Sequence, residues 1–216
     1  MKKVFMRYIL PILGVIGVVL LDQWTKYLTV TKIGDSRIVL WENVFELVYV
    51  KNNGMAWGML QNQQWLFIVM TPIVLIFMAW FYVKMPYEKK FLPMRILEVM
   101  LAGGAIGNLL DRMFRGEFCQ GHVVDMFYFK AINFPVFNVA DSFISVAFVL
   151  LVVLVMFKYS EEDFDRMFHL KKKEKTMQED SAEESENDAV EEIIKKEEVT
   201  EVAEEATAES VESETP

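Results

Sequence analysis

Nineteen consecutive uncharged residues, Trp65 to Val83, constrain this chain more than any other feature. A bilayer core about 30 Å thick takes about 20 apolar residues of helix. Inside it, only a helix or a closed barrel satisfies the backbone hydrogen bonds. A membrane helix is therefore expected over 65–83, with Pro72 tolerated inside it. Three more stretches meet the same demand. Tyr8 to Leu21 is uncharged, follows Lys2, Lys3 and Arg7, and is trailed by no small-x-small cleavage pattern, so an uncleaved span over 8–28 is expected. Residues 96–111 read as a third span, in which Gly103 and Gly107 form a small-xxx-small face for a close helix partner. The uncharged run Ser142 to Phe157, extended back to Asn138, gives a fourth over 138–157.

Between the first two spans, Ile38 to Trp41 and Val44 to Val50 look like short strands, followed by a loop turned by Gly54. With the N-terminus in the cytosol, the inner side receives 13 basic residues of the body and the outer side seven. That bias orients four spans with both termini inside. It also brings Asp22, Asn52, Asn108, Asp125 and Asp141 to one membrane face. The net charge of −9 belongs to the end of the chain: residues 177–216 hold 16 acidic and two basic side chains and no aromatic. We read 1–159 as a membrane-embedded domain, 160–176 as a basic juxtamembrane segment facing anionic lipid, and 177–216 as an acidic, disordered tail.

Asp125 closes a β-branched and aromatic run, and Asp141 stands one residue before a membrane run. Ionisable groups at the edge of hydrocarbon are costly and mark functional sites. Two carboxyls held together in a dry place share a proton and can activate water. An alternative has Asp125 as an ordinary loop residue and Asp141 as an N3 charge on a helix capped by Asn138. The residues alone leave both readings open. Asp22 and Lys26, four apart, suit a salt bridge, and Lys26 could instead snorkel to the interface. Asn108 in a membrane helix suits an interhelical hydrogen bond, and Arg112 could pair with a carboxylate or clamp a phosphate or carbonyl, or serve as an interfacial anchor with Asp111 as its local partner. Asn52 could bind an oxyanion or shape an Asx turn. Ser142 has no base at an evident spacing, and the nearness of Cys119 to His122 is superficial. With one cysteine, two distant histidines and no H-E-x-x-H, no metal or other cofactor is expected, nor a nucleic-acid partner. A proton-coupled transporter is the rival reading. It predicts ionisable groups through the membrane depth and an internal repeat, and the sequence has neither.

Five pieces taken together resemble the lipoprotein signal peptidase (signal peptidase II) family. They are Asp22-Gln23-Trp24-Thr25-Lys26, Asn52-Asn53-Gly54-Met55-Ala56-Trp57, the segment Gly103 to Arg112, Val123-Val124-Asp125, and Phe137 to Ser142. The resemblance implies an all-α polytopic membrane protein with four transmembrane helices, a small extracytoplasmic β-cradle and a mobile element over the site. It implies an aspartic endopeptidase of the bacterial cytoplasmic (inner) membrane, with its site near the outer leaflet. That enzyme cuts diacylglyceryl-modified prolipoproteins on the amino side of the lipidated cysteine, and globomycin-type cyclic peptides are expected to inhibit it. Asp125 and Asp141 match the family's catalytic pair. Asp22, Lys26, Asn52, Gly54, Asn108, Arg112, Asn138 and Ala140 match its supporting and substrate-contacting positions. Met126 departs from the aromatic that commonly follows the first aspartate.

Overall fold

The computed structural model describes residues 4–54, 60 and 62–168. The chain divides into two units, Met1–Met167 and Phe168–Pro216, and apart from Phe168 the second lies outside the described residues. The expected acidic tail, residues 169–176 of the basic segment and residues 55–59 therefore fall outside them.

Helix α1 spans Leu10–Leu28 and is continued by π-helical turns at Phe5–Ile9 and Thr29–Ile33. Helix α2 spans Gln64–Lys84, α3 Leu92–Phe114, α4 Val139–Phe157 and the short α5 Glu161–Phe168. Three helical stretches, Phe5–Ile33, Gln64–Lys84 and Val139–Phe157, are long and apolar enough to cross a membrane. Their apolar side chains point outward: α2 buries none of its residues, and Trp65, Ile76 and Phe77 are exposed. Such a surface is stable only where the solvent is hydrocarbon.

Helix α3 is the exception. It begins earlier and ends later than the expected 96–111, and Arg95 near its start and Asp111 near its end are buried inside the protein. Lys26 and Arg115, which local hydropathy does not register, offset the Asp111 charge. Helix α3 packs against α1, α2 and α4. Its glycines set the spacing: a Cβ on Gly103 would stand 2.6 Å from Cβ of Val18, and one on Gly107 would stand 2.5 Å from Asp22 Oδ2. On the α4 side, a Cβ on Gly104 would meet the Ala140 carbonyl oxygen at 2.6 Å. Backbone cannot give way there as a side-chain tip can. Gly104→Ala should therefore destabilise by about 1–3 kcal/mol. Gly17→Ala, with nothing within 4 Å of the new atom, should be neutral or slightly stabilising. Thermal unfolding of the two variants in detergent checks the contrast, and equal melting temperatures would contradict it.

The expected strands form as β1 (Ile38–Trp41) and β2 (Phe45–Asn52). A third, β3 (Val123–Phe129), completes an antiparallel sheet of order β1-β2-β3, so Asp125 stands on a strand and not in a loop. Phe45, Phe127, Phe129 and Phe137 stack against one another. The Phe137 carbonyl accepts from the Met126 and Phe127 amides, which seats the start of α4 beside β3. At the other end of the helices, α5 folds back. Met85, Phe91, Met94, Tyr159 and Met167 form a buried cluster, flanked by a Lys90–Asp163 ion pair at 2.6 Å and by an Arg166–Glu88 pair.

Candidate active site

The site assembles where the C-terminal ends of α1 and α3, the N-terminus of α4 and the β2–β3 pair meet. Its foundation is Lys26, fully buried although an exposed, snorkelling position was open to it. The ammonium has three donors and uses all three: Asp22 Oδ2 at 2.8 Å, Asp111 Oδ2 at 2.9 Å and Asn108 Oδ1 at 2.8 Å. The expected Asp22–Lys26 bridge is thus one arm of a larger knot. Asp22 Oδ1 also accepts from the Ala140 amide at 2.9 Å, joining α1 to the first turn of α4.

Asp111 departs from one of the readings of Arg112, the local pairing with it. Its partners are Lys26, Gln23, Arg115 and the Val124 amide, and Arg112 is not among them. Positions four apart share a helix face while neighbours in sequence diverge, so Arg115 and not Arg112 reaches it. That spacing was the available signal. Arg112 instead donates to the Gly54 carbonyl at 3.1 Å and the Asn108 carbonyl at 3.2 Å, and lies 4.4 Å over the Phe67 ring.

Asn138 caps α4 as expected, and more. Its Oδ1 accepts from the Asp141 amide, while the Asp141 carboxylate accepts from the Asn138 amide, a reciprocal capping box. With Oδ1 so committed, its Nδ2 is aimed at Asp125 Oδ1 at 2.7 Å and Asn108 Oδ1 at 3.1 Å. Asn108 Oδ1 is committed to Lys26 and Asn138, so its Nδ2 donates to Asp141 Oδ1 at 2.8 Å. Asn52 closes the set. In register it faces Val123, so Asp125 is its diagonal neighbour on the same face of the sheet. Its Nδ2 reaches Asp125 Oδ2 at 2.8 Å and its Oδ1 accepts from the Gly54 amide, so it shapes the turn and also holds a carboxyl.

Asp125 and Asp141 thus hang from one connected web of amides. Asp125, 1% exposed, has its carboxyl pushed up to about 7 by burial first and by the Asp141 charge second. Met126 is buried next to it, with its sulfur accepting from Thr29 Oγ1 at 3.4 Å. Beside the pair lies a cavity of about 830 Å³ whose wall includes Asn52, Gly54, Phe67, Asn108, Arg112 and Asp141. Ser142 also lines the cavity but donates its hydroxyl to the Asn138 carbonyl, while His122 faces the Tyr49 hydroxyl at 3.4 Å. Among the described residues, no three His, Cys, Asp or Glu side chains converge as metal ligands would.

Buried carboxyls held in such a web, on helices long and apolar enough to cross a membrane, belong to a membrane protein, and comparison with known proteins says which kind. The family model for signal peptidase (SPase) II matches residues 14–157. The chain is 38% identical over 157 residues to the lipoprotein signal peptidase of Lactococcus lactis subsp. lactis (strain IL1403), covering 72% of this chain and 96% of that one. It is 44% identical over 145 residues to the lipoprotein signal peptidase of Geobacillus kaustophilus (strain HTA426), covering 65% and 89%. A bacterial membrane enzyme solved by the in meso method at 2.3 Å superposes with a TM-score of 0.59 at 30% identity, over 69% of this chain and 88% of that chain. The chain belongs to the signal peptidase II family of membrane aspartic peptidases, and its activity is that of a lipoprotein signal peptidase.

Proposed function

We propose that Asp125 and Asp141 are the catalytic pair and that the substrate is a diacylglyceryl-modified prolipoprotein, cut on the amino side of the lipidated cysteine. The carrying observation is the amide web that holds both carboxyls beside a cavity open between helices. One carboxylate takes a proton from a water held between the two. The other, protonated, hydrogen-bonds the scissile carbonyl and then helps protonate the leaving amine. Because the pair shares its proton, the step belongs to both residues. Asn52 and Asn138 accommodate Asp125 in either charge state, each donating to one oxygen and leaving further lone pairs for water and the carbonyl. Asp125 is covered before substrate arrives, so binding has to displace part of its cover before a water can bridge the pair.

The supporting roles follow from the contacts. Lys26 and Asp22 fix Asn108 and the first turn of α4, Ala140 docks that turn through its amide, and Arg112 ties the Gly54 turn to α3. In this reading α3 is the fourth span, with its Asp111 paired inside the bundle. The enzyme sits in a bacterial inner membrane with the aspartates near the outer leaflet and both termini cytosolic. The diacylglyceryl chains remain in hydrocarbon while the peptide reaches the pair, and globomycin-type cyclic peptides compete for the same cavity.

The test compares a synthetic prolipoprotein peptide with and without the diacylglyceryl group. Acyl burial contributes about 0.8 kcal/mol per methylene, so even a few buried methylenes give about a hundredfold preference in kcat/KM. Equal rates on the two peptides would refute the lipid-selective reading.

A further inference from the structure

At the end of the helices away from the aspartates, a second cavity of about 430 Å³ opens between α1, the C-terminal end of α2 and the start of α3. Its rim is apolar and half exposed, with Leu10, Leu13, Leu92 and Ile96 turned outward. Its floor is not apolar. Arg95 lines it at 3% exposure and donates one bond, Nη2 to the Met85 carbonyl at 2.6 Å, while its Nε and Nη1 find no partner. The guanidinium lies 4.5 Å over the Tyr82 ring and 5.3 Å over Tyr87. Arg7 approaches Tyr87 as well, at 5.9 Å, donates Nη2 to the Val83 carbonyl, and has a buried, unpartnered Nε. Neither arginine forms an ion pair with a carboxylate among the described residues. Glu98, one turn on, also has both oxygens unpartnered, but it does not line the cavity and makes no ion pair with Arg95.

A buried guanidinium with two open donors beside hydrocarbon calls for an anion, and a planar fork of this type matches phosphate oxygens. We propose that this cavity is a binding site for an anionic phospholipid. The phosphodiester sits on Arg95, and an acyl chain leaves over Leu92 and Ile96, while Arg7, outside the lining, approaches Tyr87 and adds only its charge. Charge complementarity selects the lipid class. The apolar, outward rim selects a lipid over free phosphate. With the orientation proposed above, the site faces the inner leaflet, the side of the juxtamembrane basic residues. Binding itself does not depend on that orientation.

The experiment reconstitutes the full chain in nanodiscs of phosphatidylcholine containing phosphatidylglycerol, then counts retained lipid by native mass spectrometry. Wild type should retain one phosphatidylglycerol in preference to phosphatidylcholine. Arg95→Gln should weaken retention by about tenfold or more, the loss expected on removing a charge-assisted pair. Ile96→Trp, a rim change that leaves Arg95 in place, should block it too, which covers the case in which Arg95→Gln fails to fold. Lys130→Gln, at the opposite end, should change nothing. Equal retention of both lipids by wild type, or undiminished retention by Ile96→Trp or by a folded Arg95→Gln, would overturn the proposal. So would displacement by millimolar inorganic phosphate, which marks a free-anion site, or retention that appears only in Glu98→Gln, which marks Glu98 as the native partner of Arg95. Peptidase activity is not the readout, so failure here leaves the assignment of the aspartate pair untouched.

Discussion

Asp125→Asn is expected to lower kcat by about 10³-fold while leaving a folded protein, and Asp141→Asn to do the same, the range associated with losing a positioned acid or base. An amide at 125 has one oxygen, yet two NH₂ groups, from Asn52 and Asn138, point at that position. Neither can turn round. Asn52 Oδ1 is held by the Gly54 amide and Asn138 Oδ1 by the Asp141 amide. The new NH₂ therefore opposes another NH₂, and the loss includes misorientation as well as missing chemistry. The pH dependence adds an independent check. The Asp125 carboxyl is raised from 3.8 to about 7, so the native state holds a proton there that the unfolded chain has already released. Its contribution to stability is fully present below the unfolded value and is lost as pH rises through about 7. Activity should fall over the same alkaline step as the shared proton leaves. In Asp125→Asn the fall in melting temperature between about pH 5 and pH 8 should flatten relative to wild type. A folded variant with near-normal cleavage would remove Asp125 from the chemistry, and a wild-type rate flat through about pH 7 would contradict the raised Asp125 carboxyl.

The uncharged runs made three helices legible, because a bilayer demands a length and an apolarity that sequence displays directly. Asn138 as cap and Asp141 at N3 were legible for a similar reason, since a capping box is local. What sequence did not reveal is long-range pairing. Asn52 and Asp125 become neighbours through the β2–β3 register, which only the folded sheet sets, and Asp125 consequently read as a loop residue. The start of α3 was underread because Arg95 counts against a span by hydropathy, and its burial shows only in the fold. A local pairing of Asp111 with Arg112 was one reading, and Arg115, the neighbour on the helix face, takes that place. Resemblance supplied the expected residues of the site as positions. The geometry adds why Lys26, buried beneath Asn108 and paired with Asp22 and Asp111, belongs with them.

Lys26→Met carries the second large effect, and it falls on stability before activity. Methionine keeps most of the lysine's volume, so the change isolates the charge. Removing the ammonium leaves Asp22 and Asp111 buried with one cation fewer, and Asn108 Oδ1 without one of its two donors. Breaking a buried pair by deleting one partner costs about 3–5 kcal/mol, because the orphaned charge has no water to turn to. For a chain of this size that is a fall of about 10 °C in melting temperature. The two carboxylates are not equivalent afterwards. Asp111 keeps Arg115 at 3.0 Å, a bond from Gln23 and the Val124 amide, whereas Asp22 keeps only a Gln23 contact and the Ala140 amide. Adding Asp22→Asn should therefore restore much of the stability, since Asn can still accept from Ala140. Adding Asp111→Asn should restore little and strand Arg115 besides. Cleavage should stay low in all three, because Asn108, which positions Asp141, has lost the ammonium that fixes its amide orientation. A Lys26→Met protein that melts within about 1 °C of wild type would mean that Lys26 lives in water, as the snorkelling alternative held, with an exposed pair's small contribution. Rescue of stability without rescue of cleavage would instead separate the two duties of the knot, holding α1, α3 and α4 together and aiming Asn108 at Asp141.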